Sequence, residues 1–389
     1  MAKIFIFNPD HEIALASNNC KYNPKRNILR LNDDLSILPV WFCSGCTIER
    51  SSTNSEWSQT ASSMGLQYDV CDKIDYYPAL TDIDAWGWNK SLVTSLTERG
   101  VNRELLPDDT RLTIIRRLTE RRTAVDAMEW LLSSLCEFEL PTPPVIITNQ
   151  SEIDDFTNKY SDVVFKSPLS ESGRGVRFAS AQTINDNLRG WLRRTIEQQG
   201  YIVAEERYSV LQNFAMEFHT THDSTTFDGY SLFETDGMAY TGNTLMPDNE
   251  IEAHISSMIG VELLNAVKSQ LILFIQKNIA PHYNGHLGVD MFVFGQNSKT
   301  LLHPCVEINL RPTMGLVANI FYKNFVKAGK RGLFTVDFYR HSDELLADHI
   351  RRKADKPLII ENRLITNGYL SLCPIGGQTQ YRVRVEVYP

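Results

Sequence analysis

The sequence predicts an α/β fold that opens with a small open α/β domain and becomes sheet-rich in its second half. Three observations predict it. Short β-branched runs alternate with helical spacings over about the first hundred residues. From residue 201 onward the runs lengthen and alternate in the manner of half-buried strands. Near the end of that region, Val306-Glu307-Ile308-Asn309-Leu310-Arg311-Pro312 follows Gly288-Val289-Asp290 across a polar turn, which is the pattern of a hairpin.

The chain has 389 residues, enough for two or three domains and a large core. Hydrophobic residues make up 42% and charged residues 22%, as in ordinary folded proteins. A net charge of -8 argues against a nucleic-acid surface as the main function. The N-terminal apolar run is too short for a signal peptide, and no other run has the length of a membrane span. A cytoplasmic protein without nucleic-acid or membrane partners is expected. The seven cysteines show no repeating spacing, which suits a reducing compartment. Cys43 and Cys46 form the one Cys-x-x-Cys pair; without two further ligands it reads as structural.

The elements follow in order. Residues 3–7, 38–43 and 66–70 read as short strands, and 92–99 as a helix closed by Gly100. A helical pattern runs from 109 to 138 and stops at Pro141, Pro143 and Pro144. Then come a strand at 145–148, a helix at 152–160 and a strand at 163–166. A loop carrying Ser170, Ser172, Gly173 and Gly175 leads to a return strand at 176–179. A helix at 184–199 ends at Gly200, and a strand follows at 201–206. Further strands are expected at 214–220, 230–234 and 238–244, then one long helix at 255–279, then the 290–311 hairpin. Runs at 358–360 and 381–387 are expected to add sheet or to make contacts in a homo-oligomer.

The chemistry is carried by a few of these places. In an extended strand, residues i, i+2 and i+4 share a face. Glu307, Asn309 and Arg311 therefore project together, with Asp290 beside Glu307 across the hairpin. Two carboxylates and an amide oxygen are the hard donors Mg2+ accepts while it holds phosphates. Lys166 ends an apolar strand, where an ammonium needs a waiting partner. The glycines that follow let a backbone approach phosphate closely. Asn8 to Glu12 lies at the end of the first strand, where open α/β sheets bind ligands; the same residues also suit a helix cap with first-turn acids. His219, His222, His254, His282 and His286 show no ligand spacing and read as structural or solvated.

This ordered set resembles the ATP-grasp superfamily, with the nearest likeness to its carbamoyl phosphate synthetase and biotin carboxylase branch, over about residues 111–315. The resemblance implies an α/β (α+β grasp) architecture: an N-terminal α/β domain (1–110), a first lobe with a phosphate-covering loop (111–205), and a second lobe with the metal site and a C-terminal extension (206–389). It implies ATP and Mg2+, with Mn2+ as an alternative metal held by Asp290, Glu307 and Asn309. Lys166, Ser172, Gly173 and Gly175 would hold phosphates. Glu205, Glu206 and the backbone of Arg207 would meet the nucleoside, and Arg121, with Arg122 as a rival, would touch the nucleotide. Lys166 and Arg311 would act on the transferring phosphoryl group.

The likeness breaks at Tyr240-Thr241-Gly242-Asn243, where the synthetases carry a histidine and an aspartate. It also breaks at Asp290, where they use glutamine, and at Asn213, where some members offer the ribose an acid. The implied activity is ADP-forming ligation of a small carboxylate to an amine through an acyl phosphate. A kinase or carboxylase of the same architecture, and a nucleotide-binding protein without turnover, remain as alternatives.

Overall fold

A computed structural model describes residues 2–43, 45–49, 53–71, 80–170, 175–180, 184–237 and 239–389. The N-terminal part alternates as expected: β1 (Ala2–Ile6), α1 (His11–Ser17), α2 (Arg26–Leu35), β2 (Thr47–Glu49), α3 (Ser55–Ser63), β3 (Asp69–Cys71), β4 (Leu80–Ala85) and α4 (Lys90–Glu98). Its strands form a parallel sheet in the order β3-β2-β1-β4. All four strands therefore end on one edge, where Asn8 follows β1. There Asn8 clips the neighbouring loop, donating to the Gly87 carbonyl at 2.7 Å and accepting from the Gly87 amide at 3.2 Å.

The strand expected at 38–43 is instead a turn of 3-10 helix, Leu38–Trp41. An apolar run of this length suits a buried strand or a buried helical turn equally. Pro39, which lacks an N–H, favours the first turn of a helix. Trp41 is buried and donates to the Leu372 carbonyl at 2.7 Å. A hydrophobic cluster thus joins this segment to the C-terminal strands.

The pattern at 109–138 resolves into α5 (Asp109–Thr119) and α6 (Arg122–Ser134), because Glu120 is extended. A second sheet follows, formed by β5 (Val145–Ile147), β6 (Asp162–Lys166), β7 (Val176–Ser180) and β8 (Ile202–Glu206) in the order β5-β8-β6-β7. It is covered by α7 (Gln150–Lys159) and α8 (Asp186–Gln199). Ser172 and Gly173, between β6 and β7, lie outside the described residues.

The largest sheet has nine strands in the order β13-β12-β9-β10-β11-β14-β17-β16-β15. These are β9 (Ser209–Thr220), β10 (Thr225–Asp236), β11 (Ala239–Leu245), β12 (Gly285–Gln296), β13 (Lys299–Asn309), β14 (Gly332–Phe338), β15 (Ile359–Glu361), β16 (Leu364–Ser371) and β17 (Tyr381–Val387). The C-terminal runs thus extend this sheet. The helix expected at 255–279 is two helices, α9 (Asp248–Ile259) and α10 (Val261–Asn278), bent by 113°. Gly260 between them has φ +86°, a conformation glycine adopts readily and other residues do not.

Both helices press apolar faces against the back of the sheet, with Ile255, Leu264, Val267 and Leu271 buried. Among the described residues no single helix is long and apolar enough to cross a membrane. Two helices complete the chain, α11 (Met314–Phe325) beneath β10 and β11, and α12 (Ser342–Asp355) beside β16.

Candidate functional site

The β12–β13 hairpin forms as expected. It turns at Asn297 and Ser298, both with positive φ, the conformation two-residue hairpin loops require. Asp290 pairs directly with Glu307, and Gly288 with Asn309. The Asn309 amide nitrogen reaches diagonally to Asp290 Oδ2 at 3.0 Å, the expected cross-strand neighbour relation. β13 carries extra residues between Glu307 and His303, the partners of Asp290 and Phe292.

Arg311 departs from the expectation of a shared strand face. The strand ends at Asn309, and the Arg311 amide bonds back to the Asn309 carbonyl at 2.9 Å. Pro312 follows and cannot continue the ladder. The side chain still returns to the site: Nη2 donates to Asn309 Oδ1 at 3.1 Å and Nε to Glu12 Oε1 at 2.8 Å.

The opposite wall comes from the four-stranded β6–β8 sheet and α6. Lys166 and Glu205 are both buried and ion-paired. Burial pushes the Glu205 carboxyl up, but the Lys166 charge and His303 override it and hold it down at about 2. His303, fully buried, places Nε2 3.4 Å from Glu205 Oε2. Arg121 grips Glu307 Oε1 at 2.9 Å and Ser170 Oγ at 3.4 Å. Its Nε and Nη1 are buried and have no partner among the described residues. A guanidinium so placed needs an anion.

Arg122 turns away, 4.7 Å over the Tyr201 ring, and lines a different cavity. Of the two rivals it is therefore Arg121 that faces this cleft. Glu206 and Arg207 line it as well. The Arg207 amide is bonded to the Asp162 carbonyl at 3.0 Å. Gly175 packs beneath Ser167 and Ser170 so closely that a Cβ would lie 2.0 Å from Ser167 Oγ.

Desolvation in the cleft, followed by the charge of Glu307, raises Asp290 to about 7. Glu307 is raised too, by desolvation and against the pull of Arg121. Carboxylates that resist ionising this way are short of positive charge, and a divalent cation would supply it. Among the described residues no cluster of three or more His, Cys, Asp and Glu side chains could hold a metal. The donor set that fits Mg2+ is two carboxylates and the Asn309 amide oxygen, with phosphate completing the shell.

The N-terminal cluster joins the site in part. Asp10 stands at the N-cap of α1 without a side-chain cap bond among the described residues; Asn32 donates to it at 3.1 Å. Asp10 thus holds the cap position and Glu12 the first turn, as that reading expects, but without the side-chain cap bond among the described residues. Glu12 faces the cleft beside Arg311. His11 is fully buried against Gly87, both nitrogens without a partner among the described residues, and burial plus Arg311 drives it down to about 3.

Glu217 escaped sequence reading. It sits on β9 with Thr313 and Ser231 donating to Oε1 at 2.8 and 3.2 Å. Burial raises it to about 8, and Oε2 has no partner among the described residues. Its only sequence signal was an acid within an otherwise apolar strand, Phe214 to Phe218. His303 carried a similar signal between Leu302 and Cys305. Glu12 and Glu217 open into one cavity of about 890 Å3 together with Arg121, Lys166, Glu205, Asp290, Glu307, Asn309 and Arg311. The remaining sequence candidate, the Cys43–Cys46 pair, is unbridged, and Cys46 Sγ donates to the Cys43 carbonyl at 2.8 Å.

Among known proteins, no family model and no curated sequence matches the chain. Solved structures do. One is the biotin carboxylase domain of a 2-oxoglutarate carboxylase from Hydrogenobacter thermophilus in complex with MgADP, ADP and bicarbonate. It is 9% identical, with 100% of this chain and 86% of that one covered and a TM-score of 0.53. Another is a biotin carboxylase from Campylobacter jejuni in an ATP-type complex, 10% identical over 99% of this chain and 87% of that one, with a TM-score of 0.51. Identities so low speak for architecture alone, and on that ground the chain has the ATP-grasp fold.

Proposed function

We propose that the protein is an ATP-dependent ligase that activates a carboxylate as an acyl phosphate and joins it to an amine, releasing ADP and phosphate. The observation that carries this reading is the convergence of Lys166, Arg121, Asp290, Glu307, Asn309 and Arg311 on one cavity from two separate sheets. A nucleoside-binding module alone would have no use for paired carboxylates next to an arginine at the phosphate end.

The difficulty in this chemistry is bringing two anions together, a carboxylate and the γ-phosphoryl group. Positioning and charge neutralisation do most of the work in phosphoryl transfer. Lys166 and the half-satisfied Arg121 guanidinium would hold phosphate oxygens, with Lys166 aimed by its ion pair to Glu205. Glu206 and the Arg207 carbonyl take the nucleoside end. Asp290, Glu307 and Asn309 would hold Mg2+, which when bound would supply charge neutralisation at the phosphates. Arg311, fixed by Glu12 and Asn309, faces the carboxylate that attacks phosphorus.

Incubation with Mg-ATP, pooled carboxylates and hydroxylamine should yield ADP, phosphate and hydroxamates. AMP with pyrophosphate would reject the scheme. Both structures compared above are named as carboxylases, which favours a second reading in which bicarbonate is the acid. ADP release that requires bicarbonate, and no other acid, would establish it.

A further inference from the structure

The cavity is lined by residues from seven neighbouring strands of the large sheet, and its floor can be read strand by strand. In the order β13-β12-β9-β10-β11-β14-β17, the floor begins with Glu307, Asn309 and Asp290. It continues through Glu217, Ser231, Tyr240 and Asn243, and ends at Val336, Phe338 and Tyr381. Neighbouring strands lie about 4.8 Å apart, so the four steps from β9 to β17 span roughly 19 Å beyond the proposed phosphate site.

Character changes along this path. The cations lining the cavity, Lys166, Arg121, Arg207 and Arg311, all belong to the nucleotide end or to its border. Past Arg311 the walls are Ile28 and Leu31 of α2, then Trp86 and Met314. At the far end the Phe338 and Tyr381 rings lie 4.7 Å apart, and Phe338 is 56% exposed. Asp337 is the acid there, and it is bound by Arg382 and Arg384 at 2.5 and 2.7 Å. Nothing among the described lining residues at this end would bind a phosphate. Apolar surface would be removed from water by an apolar group.

We propose that the acid activated here is elongated and amphipathic, with its carboxylate at Arg311 and an aromatic or aliphatic end on Phe338, Tyr381 and Leu31. The proposal rests on the ligase reading for the orientation of its carboxylate. In the activating step a carboxylate oxygen forms a bond to the γ-phosphorus and the bond from that phosphorus to the ADP oxygen breaks. Hydroxylamine nitrogen then bonds to the acyl carbon, phosphate leaves, and the nitrogen loses a proton to water.

The test uses the full chain and a series of ω-phenylalkanoates from phenylacetate to 8-phenyloctanoate. Calorimetry on the Mg-ADP-loaded protein should show affinity rising at least tenfold along the series. Phe338→Ala and Leu31→Ala should each erase about tenfold of that gain, the scale of about one methylene's contact in an apolar pocket, with Mg-ADP affinity unchanged. Equal affinity for acetate, succinate and 8-phenyloctanoate, or a gain that survives both substitutions, would overturn the proposal. Hydroxamate formation from the same acids reads the ligase activity separately. Selective binding without hydroxamate or ADP would leave the apolar site standing and remove the ligase reading, and turnover of hydrophilic acids alone would do the reverse.

Discussion

Asp290 and Glu217 contribute to the protein's response to pH near neutrality. Both hold their protons far above the usual carboxylate range, at about 7 and about 8, chiefly through desolvation. Between roughly pH 4 and 8 the folded chain binds protons that the unfolded chain has released. These two groups therefore make the protein less stable as pH rises, and the loss is complete above their folded values. Thermal denaturation without nucleotide should show the melting temperature falling between pH 6 and 9. Glu217→Gln, which mimics the protonated form, should remove part of that slope. Identical slopes would contradict the assignment.

On the proposed function, Mg-ATP binding would draw on the ionised Asp290, so it should weaken as pH drops below 7 and release protons at neutrality. Calorimetry in two buffers of different ionisation heat measures the proton count. At the same strand face, Glu307→Gln and Asn309→Ala should each lower ADP release by roughly a hundredfold or more, about 2.7 kcal/mol of transition-state stabilisation. Their circular dichroism should be unchanged. Near-full activity in either variant would take the metal away from this hairpin.

At the scale of elements, two glycines decide where helices lie. Gly87 touches His11 so closely that a Cβ would sit 2.2 Å from its ring. Alanine there must push α1 outward, and Glu12 with it. The expected cost is about 1–3 kcal/mol, as for other overpacked sites. The apparent KM for the acid should also rise, because Glu12 no longer braces Arg311. Gly260 makes the corner between α9 and α10 on the side of the sheet away from the cavity. Gly260→Ala should cost about 1 kcal/mol through its positive φ and leave kinetics alone. Chemical denaturation and steady-state rates on both variants distinguish the two effects.

At the scale of the molecule, the nucleotide would bridge two sheets that meet across the cavity, with Lys166 and Glu205 on one and Asp290 and Glu307 on the other. The Lys166–Glu205 and Arg121–Glu307 pairs already tie these walls to their surroundings, yet Arg121 Nε and Nη1 have no hydrogen-bond partner among the described residues. Mg-ATP at a hundred times its Kd should stabilise the fold by about 2.7 kcal/mol. AMP, without the β- and γ-phosphates, should do much less at equal concentration. Equal shifts in melting temperature would mean that the phosphates are not held where the cavity suggests.

The local pattern of the chain was enough to specify the hairpin and its acids. Strand alternation is a property of the backbone, so Glu307 and Asn309 had to share a face, and a polar turn of this length had to bring Asp290 alongside. The apolar strand ending at Lys166 demanded a partner for the same local reason. Arg121 could not be separated from Arg122 by spacing alone. Adjacent helical residues diverge by about 100°, and which one meets the cleft depends on how α6 packs. Glu217 and His303 were invisible because one acid or one imidazole in an apolar strand carries no period; their meaning comes from Thr313, Ser231 and Glu205, far away in sequence. The apolar end of the cavity is the extreme case. Leu31, Trp86, Phe338 and Tyr381 lie in four separate segments, and only the sheet order that places β14 and β17 after β11 gathers them into one wall.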